Sequence, residues 1–358
     1  MFFEDLLAAI AVVINGLPQG LLSLSYGFGL FPTSLGFVAG VIGMLVFQQV
    51  APISFQAESI VMAGVLGKNR NERLNIVFFT GVIMAIVGGL GLLNATIEFI
   101  GPAILNGMMA GVGIMLAKTG IVMIKENKIA GGISMATAIL VYFLSNYNLI
   151  YTIVASVFIS TIVHILVKNT HKNSPKDENS SENKLDLSHE KFEPLKFDFS
   201  PNVIRGTLAL VTLQIGGNIA YASVTGSIAN AAVDVDKITL YSGIGDAVSA
   251  FFGGGPVEAI ISGTAAAPNP VRSGILMMAI MAVILLIKIL PKIAKHVPNQ
   301  SIAGFLFVLG AIVVFPDNAL ASITESPLVA GATTIVTAVT DPFIGMIAGL
   351  IVKFFVGL

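Results

Sequence analysis

Ala51-Pro52-Ile53-Ser54-Phe55-Gln56-Ala57-Glu58-Ser59 recurs in outline in the second half of the chain as Gly255-Pro256-Val257-Glu258-Ala259-Ile260-Ile261-Ser262-Gly263. Each copy opens with a proline after an apolar run and carries a carboxylate inside what is otherwise hydrocarbon sequence. Proline removes an amide donor and glycine loosens the backbone, so neither stretch continues a long helix. A carboxylate at membrane depth is costly and as a rule faces a cavity or a partner. Two interrupted, polar-bearing segments at matching places in two halves point to the central binding site of a membrane carrier.

Composition sets the class. Hydrophobic residues make up 55% of the chain and charged residues 11%, with a mean hydropathy of +0.89, far from the balance of an ordinary soluble domain. A net charge of −1 gives no footprint for nucleic acid. Cysteine is absent, which excludes disulfides, thiol catalysis and thiolate metal sites. His164, His171, His189 and His296 are too scattered to predict a metal cluster. The first apolar stretch follows Glu4 and Asp5 instead of a basic segment, and reads as a membrane span, not a signal peptide. No Gly-x-x-x-x-Gly-Lys-Ser/Thr loop is present, which argues against an ATP-driven pump.

Cutting the chain at charge and turn residues gives about seven spans in the first half, at roughly 5–22, 31–49, 52–66, 74–95, 99–117, 129–145 and 148–167. Seven more follow at roughly 203–225, 236–252, 256–268, 271–290, 298–315, 327–340 and 342–357. The hydrophilic tract 168–201 between them buries too little apolar surface to fold alone and reads as a linker. The expected architecture is therefore an all-α polytopic membrane protein of about 14 segments. Two repeats, 1–167 and 202–358, flank the linker, with segments three and ten broken into a short strand and a short helix. An odd number of spans per repeat implies opposite orientation of the two. A second echo supports the pairing: Pro102 precedes Gly107 and Gly113, as Pro298 precedes Gly304 and Gly310. Lys and Arg gather after segments three, five, seven and eleven, a bias that places those turns in the cytosol and both termini outside.

Gly253-Gly254-Gly255-Pro256 must leave backbone groups unpaired by helix, which the bilayer tolerates only where protein covers them or a cavity receives them. Glu258 and Ser262 lie within this stretch, and Glu58 and Ser59 within its echo. Gln214 and Asn218 stand four apart, on one helix face, with Gly217 beside them. Carboxamides both donate and accept, which suits a ligand edge of mixed polarity. The plain alternative is hydrogen bonding between helices. Gln19, Ser23 and Ser25 occupy the corresponding first-span positions. The substrate-binding candidates are thus Gln214, Asn218, Ser262, Glu258, Gly217, Glu58, Ser59 and Ser23, with Glu58 and Glu258 as proton-coupling candidates. Gly243-Ile244-Gly245-Asp246 matches one element of intramembrane aspartyl proteases, but the Tyr-Asp pair those enzymes need is missing, so Asp246 reads as an interior or helix-end polar residue.

In the order of these features the chain resembles the xanthine/uracil permease superfamily, nearest its adenine/guanine/hypoxanthine branch. The resemblance rests on Phe99-Ile100-Gly101-Pro102 through Gly107, Gly111 and Gly113, on Ser249-Ala250-Phe251-Phe252-Gly253, and on Thr337 to Gly349 around Asp341-Pro342. It implies a core of segments 1–4 and 8–11 that carries substrate, a gate of segments 5–7 and 12–14 that dimerises, and no cofactor beyond a coupling proton or sodium ion. The chain departs from that family where its two carboxylates are expected, which are Gln214 and Ser262 here, and where some members have histidine, which is Asn218.

The expectation that follows is a secondary transporter, not an enzyme, for a nucleobase or similar planar heterocycle, in the plasma membrane. The alternative is a small-anion carrier of the same architecture, like the sulfate-permease or benzoate carriers, since neutral Gln214 and Ser262 leave helix N-termini free for an anion. A non-transporting membrane protein derived from the fold is the remaining class.

Overall fold

The computed structural model describes residues 2–171, 191–294 and 297–357. His189, His296 and most of the expected linker lie outside the described residues. Among the described residues, no group of three His, Cys, Asp or Glu side chains is placed to hold a metal ion.

The first half begins with α1 (Phe2–Ser25) and α2 (Leu30–Phe47), then breaks into the short strand β1 (Ile53–Ser54) and α3 (Ala57–Leu66). It continues through α4 (Arg70–Gly89), α5 (Leu92–Ile100), α6 (Pro102–Glu126), α7 (Lys128–Leu144) and α8 (Leu149–His171). The second half runs through α9 (Pro201–Ala229) and α10 (Val235–Phe251) to the second break, β2 (Glu258–Ala259) with a 3-10 turn at Gly263–Ala266. After it come α11 (Pro270–Leu286), α12 (Leu290–Ala294), α13 (Ala303–Phe307), a π-helical stretch (Val308–Val314), α14 (Phe315–Glu325), α15 (Pro327–Val339) and α16 (Pro342–Val356). Seven described helices are long and apolar enough to cross a membrane, and several shorter apolar helices accompany them. This is a mostly helical, multi-pass membrane protein.

Three details depart from the sequence expectation. The helix expected within 256–268 is only the 3-10 turn, because Pro268 and Pro270 stop it and Asn269 caps α11 by accepting from the Arg272 amide at 2.9 Å. The fourth span ends at Gly89, and Leu92–Ile100 forms a separate helix. Its open N-terminus is held by Asp236, whose carboxylate accepts from the Leu93 and Asn94 amides at 2.8 and 3.0 Å. The span expected at 298–315 runs on through the π-helical stretch to Glu325.

Hydrogen bonds between turns sort the chain into two ends. At one, Arg70 donates to Gly27 O (2.7 Å), to Gly253 O (3.1 Å) and to Glu193 (2.7 Å), joining the α1–α2 turn, the start of α4, the end of α10 and the segment that leads into α9. Gly253 has φ of +97°, and a side chain there would run into Arg70, so glycine is required. At the other end, Asp5 accepts from the Asn269 amide (2.9 Å) and from Arg272 Nε (2.6 Å), and Gln49 accepts from the Asp234 amide (2.9 Å). Lys353 donates there to Phe99 O and Ile100 O.

Packing forms two groups of helices. In one, α4 and α2 pack on α10, α2 and α1 on α11, and α4 on α9. In the other, α14, α15 and α13 surround α6, α7 packs on α8, and α15 on α16. Glycines set the close approaches: at the crossing of α6 with the π-helical stretch, Gly113 and Gly310 lie against each other's carbonyls.

Candidate functional site

The two breaks in the chain complete each other. β1 and β2 pair antiparallel, Ile53 opposite Ala259 and Ser54 opposite Glu258, and the Ile260 amide donates to Pro52 O at 3.2 Å. Backbone released by proline and glycine has no water to turn to at this depth, so side chains supply the remaining partners. Gly255 N donates to Thr33 Oγ1 (2.9 Å), Ser249 Oγ donates to Gly255 O (2.6 Å), and the Val257 amide donates to Asp246 (2.6 Å). The Tyr241 hydroxyl donates to Ala51 O on the first break. These hydroxyls and the Asp246 carboxylate are buried, and each stands in for a missing helical partner.

Above this crossing Gln214 on α9 is buried, and its Nε2 donates to Glu258 (2.6 Å) and to Asp246 (2.8 Å). Ser59 on α3 lies beside Glu258. Asn218 donates to Thr239 on α10 at 3.2 Å. Gln214, Asn218, Glu258 and Ser59 thus join α9, α10, β2 and α3, and both carboxamides direct their donors to protein partners. Ser262 is fully buried as the cap of the 3-10 turn, bonded to the Thr264 amide and hydroxyl. Ser23 lies buried against Gly255. Gly217 leaves room for the Tyr221 ring. Ser25 is bonded to Leu22 O near the surface.

A cavity of about 200 Å³ opens between the two helix groups. Its walls come from α1 (including Asn15 and Gln19), from Ser54 through Glu58, from Tyr221, from Ile260 and Ile261, and from Val112 to Met123 on α6 together with Ile302 and Leu306. Of the sequence candidates Glu58 and Gln19 line it; Gln214, Asn218, Ser262, Glu258, Gly217, Ser59, Ser23 and Ser25 do not. α3 begins at the wall with Gln56 as its N-cap, whose side chain makes no cap bond, and with Glu58 in its first turn. Its first amides and the positive end of the helix dipole make the α3 start a natural seat for negative charge. The Gln19 carbonyl oxygen is buried and without a hydrogen-bond partner. Sequence reasoning passed over Asn15 and Tyr221, although Asn15 is one turn from Gln19, and Tyr221 continues the face of Gln214 and Asn218.

Comparison with known proteins bears on this geometry. The model of the sulfate permease family matches residues 125–325, more than half of the chain. The chain belongs to the sulfate permease family. The resemblance to the xanthine/uracil permeases is thereby corrected, and the nucleobase and purine substrate drawn from it goes with it. The reason is physical: Pro-Gly breaks and glycine-paired crossings are demands of a crossed-segment architecture, not of a substrate. The positions that would have told the families apart, Gln214 and Ser262, already lacked the carboxylates.

The fold of this sulfate permease family member is shared by solved structures. The transmembrane domain of BicA, a cyanobacterium bicarbonate transporter, superposes with a TM-score of 0.60 at 16% identity, covering 97% of each chain. The murine anion transporter Slc26a9 in its inward-facing state gives 0.57 at 14% identity, over 99% of this chain and 68% of that one. No curated protein sequence matches the chain.

Proposed function

We propose that this sulfate permease family member is a secondary carrier of small anions in the cell membrane, working by alternating access. The observation that carries the reading is the start of α3, where the Gln56 side chain makes no cap bond, opening onto a cavity between two packed groups of helices. The family, and the bicarbonate and anion transporters that share the fold, point to the same class of substrate.

In this reading the core comprises α1–α4 and α9–α11 with the paired strands, and the gate comprises α6–α8 and α13–α16. The anion sits at the α3 amides, beside Gln19 and Tyr221, and the core moves against α6 and Leu306 to change the side of exposure. Glu58 stands in the first turn of α3 on the same wall. An ionised carboxylate there repels an incoming anion, so loading takes a compensating cation, either a proton on Glu58 or a sodium ion. No catalytic chemistry is assigned.

Purified protein in liposomes tests the reading. Uptake of radiolabelled bicarbonate, sulfate or a small carboxylate that saturates with concentration is the expected result. Protein that is folded and moves none of these overturns it.

A further inference from the structure

Resting on the anion-carrier reading, we propose that the substrate is an organic monoanion with an apolar body, not a compact inorganic dianion. The cavity wall supports this in charge, lining and size. It carries no Lys, Arg or His, and its one carboxylic acid is Glu58. The positive charge on offer is then the α3 N-terminus alone, equivalent to about half a unit. With the coupling cation offsetting Glu58, that end compensates about half of a single negative charge. A dianion leaves about one and a half units of charge without a partner, three times the monoanion's remainder.

The lining points to the rest of the molecule. Val12, Val112, Leu116, Ile260, Ile261 and Leu306 present hydrocarbon to the cavity. A bare oxyanion gains nothing from such walls and gives up hydration on meeting them. The polar groups come from two places: the Asn15 and Gln19 carboxamides, one turn apart on α1, and the start of α3. This is the division a ligand with one polar end and one apolar end requires. Size agrees. A cavity holds a water once about 10–15 Å³ is accessible to it. The 200 Å³ here is far more than a five-atom tetraoxoanion fills.

Liposome uptake of benzoate, acetate and sulfate by the full chain tests this. Benzoate is expected to half-saturate at a concentration about tenfold below acetate, the gain for burying part of a ring. Sulfate is expected neither to enter nor to compete. Leu116→Trp, which narrows the cavity from the α6 side, should raise the half-saturating concentration for benzoate about tenfold, while acetate shifts less than about threefold. Sulfate uptake without benzoate uptake or competition overturns the inference and leaves the anion-carrier reading standing. Acetate and benzoate handled alike, or an unselective effect of Leu116→Trp, also overturns it. If protein with an intact thermal transition moves none of the three or bicarbonate, both readings fall.

Discussion

The side-chain nitrogen of Gln214 lies 2.6 Å from the Glu258 carboxylate and serves Asp246 at 2.8 Å as well. One amide thus stands between two buried acids on different elements. Removing it leaves both without that donor, and a lost buried partner costs about 1–3 kcal/mol. Gln214→Ala is therefore expected to lower the thermal unfolding midpoint in detergent clearly. Gln214→Glu, which gathers three acids at one place, should lower it further. An unchanged midpoint in both would mean the amide bridges nothing of consequence.

Asp246 holds the second break through the Val257 amide at 2.6 Å. Asp246→Asn keeps an acceptor oxygen for that amide and should retain measurable uptake. Asp246→Leu leaves the Val257 amide unsatisfied and should abolish uptake together with about 1–3 kcal/mol of stability. Equal activity in the two variants would separate the break from Asp246.

Coupling is tested at Glu58 and Glu258. If a proton on Glu58 accompanies the anion, uptake driven by an inward proton gradient becomes insensitive to that gradient in Glu58→Gln. Glu258 is held by Gln214 and lies off the cavity wall, so Glu258→Gln is expected to reduce stability more than coupling. Should both variants keep gradient-driven uptake intact, neither residue carries the proton. Replacing sodium by choline then decides whether sodium takes that part.

Much of the fold was legible because its causes are local. Pro52 and Pro256, with the glycines before the latter, dictate a break wherever they stand, and the breaks pair as β1 and β2. Gly113 and Gly310, picked out by their equal distance from a preceding glycine, meet at one helix crossing. The separate helix Leu92–Ile100 was missed because Asp236, far along the chain, holds its start. The site was harder to read. A four-residue spacing placed Gln214 and Asn218 on one face correctly, but spacing does not say whether that face meets a cavity or a neighbouring helix. Here it meets α10 and β2. Asn15 and Tyr221 reach the cavity only through packing of distant elements. The family was misassigned for a related reason: the motifs that carried the resemblance specify architecture.

Orientation gives the last prediction. The end of the molecule at Arg70 also holds Arg73, whose side chain donates to Tyr26 O, and Lys288, which lies over the Phe31 ring. Lys68 is exposed in the turn leading to α4. The opposite end has Lys237, Arg272 and Lys353, each engaged with a carboxylate or a carbonyl. An excess of Lys and Arg in short turns is what keeps a turn in the cytosol, and the Arg70 end carries more of them. The Arg70 end should therefore face the cytosol, and the Asp5 end, with the start of α1, should face outward. The chain has no cysteine, so single cysteines report without background. Lys68→Cys should react with an impermeant maleimide only in inside-out vesicles, and Lys237→Cys only in intact cells. The reverse pattern would mean that some feature other than these lysines and arginines orients the chain.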